Sequence, residues 1–220
     1  MKVLSSSIGK KFLMGITGLL LCGFLAVHLS GNLLLFASSD AYNRYAHTLH
    51  AREELLLIAE VGLFALFVVH IVLAFQTARI NNRGRQVSYA MKETKILDRN
   101  LVAPLSPENW MVWSGIVVLG FLVLHLADFT FELRLRGSES EEPFDKAVRL
   151  LKDPISATVY VLGSIVLGFH VSHGVYSAFR SLGATHPKYS GFIKWFGVVF
   201  AVAIAIGFAS FPFWAAFRNE

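Results

Sequence analysis

Five long apolar runs, parted by shorter polar connections, make up most of the chain. They cover about residues 12–36, 55–78, 110–131, 155–179 and 192–217. Each run reaches or exceeds the roughly 20 residues that a helix needs to cross a bilayer. The runs are continuously apolar rather than alternating, which disfavours a membrane β-barrel. Backbone polar groups in lipid must be satisfied within their own segment, which leaves helices. The pattern therefore predicts an all-α integral membrane protein, five transmembrane helices in one membrane domain over residues 1–220. The run boundaries are polar: Lys10 and Lys11 before the first, Ser38, Ser39 and Asp40 after it, Arg52, Glu53 and Glu54 before the second and Arg79 after it. Pro154 stands where the first turn of the fourth helix tolerates proline. Trp110, Trp113, Trp195 and Trp214 lie near run ends, where an amphipathic ring favours the membrane interface. The segment PFDKAVRLLKDP, residues 143–154, spaces Phe144, Ala147, Val148 and Leu151 at near-helical intervals. It predicts a short amphipathic helix at the outer surface.

Composition agrees. The chain is 55% hydrophobic and only 16% charged, and its mean hydropathy is +0.55. The first run is too long for a signal-peptide core and lacks a clear small-residue cleavage site, so it reads as a retained span. One cysteine, Cys22, lies inside that run. It can form no intrachain disulfide, and a lone thiol builds neither a zinc site nor an iron–sulfur cluster, which leaves packing. The net charge of +5 does not point to nucleic acid, because the basic residues flank the spans. A cytoplasmic N-terminus places twelve Lys and Arg on the inner side and eight on the outer. That is the bias expected of a multi-pass protein of the cytoplasmic (inner) membrane.

Four of the eight histidines lie deep in separate spans: His28, His70, His125 and His170. Ionisable residues inside a membrane are rare, and they mark function by default. A lone buried histidine would read as a packing residue bonded to a neighbouring helix; four, one per consecutive span, shift the balance. Each lies a few residues past the centre of its run, roughly 5–7 Å beyond the midplane along its own direction. Consecutive spans run oppositely. His28 and His125 therefore share an outer layer, His70 and His170 an inner one, with the layers roughly 10–12 Å apart. Two histidines at one depth on two helices can hold an iron between them. A bis-imidazole haem leaves no open position for oxygen and suits electron transfer, so two stacked haem b groups across the bilayer would form a wire.

The histidines recur at 42 residues (His28 to His70) and 45 (His125 to His170), which suggests two related helix pairs of weak overall similarity. Gly15, Gly18, Gly23 and Gly31 surround His28 in sequence, and Gly163, Gly168 and Gly174 surround His170. They serve either close approach of a flat ring or ordinary helix packing. His173 competes with His170, three residues away on the same face; depth and repeat spacing favour His170. His47 and His50, in the first outer connection, read either as solvated loop residues or as contacts for a cofactor or a quinone. His186, before Pro187, reads as a loop residue.

The stretches HLSGNLLLF with His28, AYNRYAH with His47, VVHIVLAF with His70, LVLHLADF with His125 and FHVSHGVYSAFRSLG with His170 carry a family resemblance. The chain resembles, over nearly its whole length, the cytochrome b subunit of succinate dehydrogenase and fumarate reductase in its single-chain, five-helix, two-haem form. The resemblance implies that His28 and His125 carry the outer haem, and His70 and His170 the inner one. It also implies a flavoprotein and an iron–sulfur subunit docked on the cytoplasmic face, and a quinone, menaquinone, near the outer haem. Arg44, Arg79 and Arg180 are the nearest basic residues in sequence for haem propionates. Some members of the family carry a glutamate two residues before the fourth ligand. Here that position is Gly168, which puts such a proton route in doubt, and Glu60 and Asp128 become the candidate acids for a quinone. The plainer reading of each is a snorkelling interfacial acid. Two rivals stay open: a cytochrome b serving a hydrogenase or formate dehydrogenase, and a haem-free transporter using its histidines for protons or metal.

Overall fold

The structure is a computed structural model that describes residues 6–83, 107–135, 137–138, 141–184 and 186–218. The first apolar run folds as α1, Ser7–Asn32, and continues through a 3-10 turn, Leu33–Phe36. There follow α2 (Ser39–His50), α3 (Glu53–Arg83), α4 (Pro107–Phe129), α5 (Pro143–Lys152), α6 (Pro154–Ser181) and α7 (Pro187–Phe217). No strand occurs among the described residues. Five helices, α1 with its 3-10 turn, α3, α4, α6 and α7, are long and apolar enough to cross a membrane.

These helices start where side chains or prolines satisfy their first turns, which moves several boundaries outward from the apolar runs. Ser6 Oγ accepts from Gly9 N at 3.0 Å, so α1 begins before Phe12. His186 Nδ1 accepts from Lys188 N at 3.2 Å, and with Pro187 in the first turn it starts α7 five residues before Phe192. His186 is thus a helix cap. Asp153 Oδ2 accepts from Ser156 N at 2.8 Å and opens α6 ahead of Ile155. The connection after the first run, expected as a loop, contains α2, capped by Ser38 Oγ at 3.1 Å from Ala41 N. The polar segment 84–106 lies outside the described residues. So do Lys2, Arg85, Lys92, Lys95, Arg99 and Arg136, which entered the count of twelve inner and eight outer basic residues.

Phe144 N of α5 donates to Asn43 Oδ1 of α2 at 2.9 Å, and His47 Nε2 meets Glu142 Oε2 at 2.9 Å. The connections after the first and third spans therefore share one face of the bundle. α5 is amphipathic, as its spacing predicts, but it is no mere surface helix. Phe144, Ala147, Leu150 and Leu151 are all buried, with Leu150 fully so. Together with Leu35, Tyr160, Phe211 and Ala215, most of that face forms the main core cluster. α6 is the central helix, packed on α1, α4, α5 and α7. Its closest neighbour is α7: a Cβ on Gly168 would stand 2.7 Å from Ala205 Cβ, and one on Gly197 would stand 3.2 Å from Val175 Cγ1. Glycines here let the two backbones approach. α3 buries none of its most apolar stretch within the chain, a surface suited to lipid.

The cap at Asp153 is open to test. Its carboxyl is held below the usual carboxylate range, first by the Ser156 backbone N–H, then by the Ser156 hydroxyl, and more weakly by Arg134. A depressed folded pKa gives stability that is present above the ordinary aspartate range and is lost as pH falls through the folded value. Asp153→Ala should lower thermal stability in detergent at neutral pH, as loss of an N-cap does. The gap between it and the parent should close as pH falls below about 4, and Asp153→Asn should keep most of the cap.

Candidate functional site

His28 on α1 and His125 on α4 face each other with ring centroids 5.9 Å apart and planes 82° to one another. Aromatic rings enclose them. Phe24 stacks on His28 at 5.2 Å and Phe208 lies at 5.6 Å. Phe129, Tyr160 and Phe121 lie 5.2, 6.0 and 6.2 Å from His125. α1 and α4 do not pack extensively on each other, so the two imidazoles reach across a gap between helices. His70 on α3 has its Nδ1 3.1 Å from Thr17 Oγ1 of α1. His170 on α6 has its Nδ1 3.1 Å from Ser114 Oγ of α4. Both hydroxyl partners stand on the helices that carry His28 and His125, so His70 and His170 occupy a second level along the same bundle.

The structure therefore brings the four together as two layers. Thr17 stands eleven residues before His28, and Ser114 eleven before His125, which is about 16 Å of helix. That is wider than the roughly 10–12 Å spacing read from the apolar runs. Both helices start ahead of their apolar runs, α1 at Ser7 and α4 at Pro107, so their midpoints shift back and His28 and His125 lie further toward the α2 and α5 face.

The remaining candidates sort by contact. His173 interacts with Lys194 of α7 and is the less buried of the α6 pair. His47 is exposed and bound to Glu142, and His50 Nδ1 meets Ala46 O of its own helix at 2.8 Å. Arg44 and Arg79 are exposed, and the Arg180 guanidinium lies 5.9 Å from the Tyr176 ring centre. Asp128 is wholly buried. Its two oxygens accept from Arg134 Nε at 2.9 Å and Arg134 Nη2 at 2.8 Å, and Tyr160 Oη donates to it at 3.0 Å. Arg134 continues to Ser156 Oγ at 2.7 Å, and Ser156 to Asp153 at 2.8 Å. Glu60, by contrast, is exposed on α3. It lines an apolar groove of about 400 Å³ with Leu20, Phe24, Leu56, Ala59, Gly62, Leu63 and Leu66.

The geometry tests the fit of a haem. No three of His, Cys, Asp and Glu gather into a metal-binding group among the described residues; the deep histidines come in twos. A bare divalent ion takes about four protein ligands, whereas an iron held by a macrocycle takes only axial ones. Two imidazoles joined to one metal by bonds of about 2 Å would set their ring centres about 6 Å apart, close to the His28–His125 separation. Glycine clears the other layer. A Cβ on Gly18 would lie 3.5 Å from His70 Cε1, and one on Gly115 would lie 3.3 Å from His170 Cε1. Gly23 and Gly120 have open space beside them. The residues fit the group. Gly15, Gly31, Gly163 and Gly168 serve packing instead, against Ala178, Tyr45, Phe121 and Ala205 respectively. The space at Gly168 is taken by α7, so a glutamate there would not fit.

Thr17, Ser114 and Gly115 are site residues that the histidine pattern alone did not single out. A signal for them exists. Residues 17–29 read TGLLLCGFLAVHL and residues 114–126 read SGIVVLGFLVLHL. Both run hydroxyl, Gly, four residues, Gly-Phe-Leu, two residues, His-Leu. The similarity between the two halves is concentrated in the first helix of each pair, where a comparison over whole spans dilutes it.

Compared with protein families, with curated proteins and with solved structures, the chain finds no match.

The Asp128 cluster carries its own prediction. Arg134→Ala should destabilise the protein by about 3 kcal/mol, the low end for a broken buried pair, because Arg134 is itself one-third exposed. Restoring neutrality with Asp128→Asn in the same chain should recover much of the loss, as measured by unfolding in detergent.

Proposed function

We propose that the chain is a di-haem cytochrome b, the membrane anchor of a succinate:quinone oxidoreductase. In this role it carries electrons between an iron–sulfur partner and membrane quinone. The observation that carries the proposal is the pairing of four intramembrane histidines in two layers, one pair meeting at 5.9 Å across a gap between helices. His28 and His125 would hold one haem b, and His70 and His170 the other. Haem b with two imidazole ligands supplies one-electron transfer with no position open to oxygen.

The rest is work for the chain's own side chains. The rings of Phe24, Phe121, Phe129 and Phe208 surround the first pair and keep water from it. The Glu60 groove includes Phe24, which also stacks on His28. A quinone ring there would lie beside the first pair with a carboxylate within reach for proton exchange. Asp128 suits that task less, since Arg134 and Tyr160 occupy both its oxygens. The sequence resemblance supports the dicarboxylate partner. On this reading a flavoprotein and an iron–sulfur subunit would dock on the cytoplasmic face, opposite α2 and α5, with the chain in the cytoplasmic membrane.

Purification from native membranes tests this reading. The expected preparation shows a reduced-minus-oxidised haem b spectrum, two haems per chain, and co-purifying flavin and iron–sulfur subunits. A missing haem b band would overturn the proposal in favour of a haem-free transporter. A hydrogenase or formate dehydrogenase partner would keep the cytochrome and overturn the succinate assignment. His170→Ala should remove one haem while His173→Ala retains both; the opposite result would transfer the ligand role to His173.

A further inference from the structure

The hydroxyls of Thr17 and Ser114 each face the Nδ1 of a histidine on another helix. Thr17 is buried, and its single hydroxyl proton is committed to the backbone: Oγ1 lies 3.0 Å from Leu13 O and 3.1 Å from Met14 O. A hydroxyl inside a helix ordinarily donates back to such a carbonyl. What Thr17 Oγ1 offers His70 Nδ1 at 3.1 Å is then a lone pair. His70 Nδ1 must be the donor, and in a neutral imidazole this leaves Nε2 as a bare lone pair. Ser114, also buried, repeats the arrangement. Its Oγ donates to Met111 O at 3.1 Å and accepts from His170 Nδ1 at 3.1 Å.

The first pair lacks this device. The Asn32 amide nitrogen lies 3.5 Å from His28 Nδ1, too long to set a tautomer. His125 makes ring contacts, with no hydrogen bond among the described residues. The difference is built into the repeat. Each hydroxyl sits eleven residues before a histidine of one layer and serves a histidine of the other, with Gly18 or Gly115 beside it leaving room for the ring.

We propose that Thr17 and Ser114 are positioning residues of the His70–His170 site. They hold both Nε2 lone pairs free for one iron and, by accepting the Nδ1 protons, make both imidazoles stronger donors. A partner that accepts the second ring proton raises the basicity of a ligating histidine and stabilises the oxidised metal. The two hydroxyls therefore hold this centre at a lower reduction potential than the same ligands would give alone. The inference rests on the haem reading above but makes a separate claim.

The test is potentiometry with electron paramagnetic resonance on the intact complex carrying Thr17→Val, Ser114→Ala, Thr17→Ser or Ser114→Thr. The His70–His170 centre is identified as the one lost in His70→Ala. Thr17→Val and Ser114→Ala should shift the midpoint of that centre positive and alter its low-spin signal, leaving the His28–His125 centre unchanged. The hydroxyl-retaining variants should match the parent. If Thr17→Val loses the haem outright while Thr17→Ser keeps it at the parental potential, the positioning role stands. Unchanged potentials and signals in Thr17→Val and Ser114→Ala, or equal shifts of both centres, would overturn it. A parent protein with no haem b would instead overturn the underlying reading.

Discussion

A polar ring in the middle of an apolar helix must find its partner on another helix, because lipid offers none. Four imidazoles impose that demand on four consecutive spans, and the bundle is arranged around meeting it. Thr17 meets His70, Ser114 meets His170, and His28 meets His125 across the space between α1 and α4. Helix packing elsewhere is tight, with glycines closing α6 on α7. Where the histidines meet, it is open. Close packing on one side and a bridged gap on the other is what an inserted flat group requires of a helical scaffold.

The α2 and α5 face meets a different demand. Here α4 ends and the chain must leave the membrane with Asp128 fully buried. A bidentate guanidinium and a tyrosine hydroxyl meet that carboxylate, Ser156 accepts from the same guanidinium, and α5 packs its apolar side into the same region. Beside it, Arg149 donates to both oxygens of Glu141 at 2.7 Å and holds that carboxyl below its usual range. The result is a plug beside His125 that joins α2, α4, α6 and α7. The opposite layer relies on hydroxyls alone. The two ends of the bundle thus offer their histidines unlike surroundings.

Much of this was legible in the chain. The five spans were, because a bilayer demands uninterrupted apolar runs of one length. The layering of the histidines followed from alternating direction alone, although its spacing came out short because helix caps lie outside the apolar runs. α2 went unread because it is polar overall and short, although Ala41, Tyr42, Tyr45, Ala46 and Leu49 fall at helical spacing and the Ser38 cap starts it. The partner of Asp128 was hidden because Arg134 lies beyond the end of α4 and returns through a turn in which Glu132 adopts a φ of 50°. Thr17 and Ser114 were hidden for another reason. A hydroxyl inside a helix ordinarily bonds back to its own backbone, and both do; only the packed structure shows that the spare lone pair is also used. The repeat around them marks the two helices as equivalent, but the hydrogen bonds give the equivalence a purpose.

Haem content per chain in two double variants tests the pairing most directly. His28→Ala with His125→Ala removes both members of one proposed pair, and His28→Ala with His170→Ala removes one member of each. One haem should be retained in the first and none in the second. Equal haem content in the two variants, or more in the second than in the first, would contradict it.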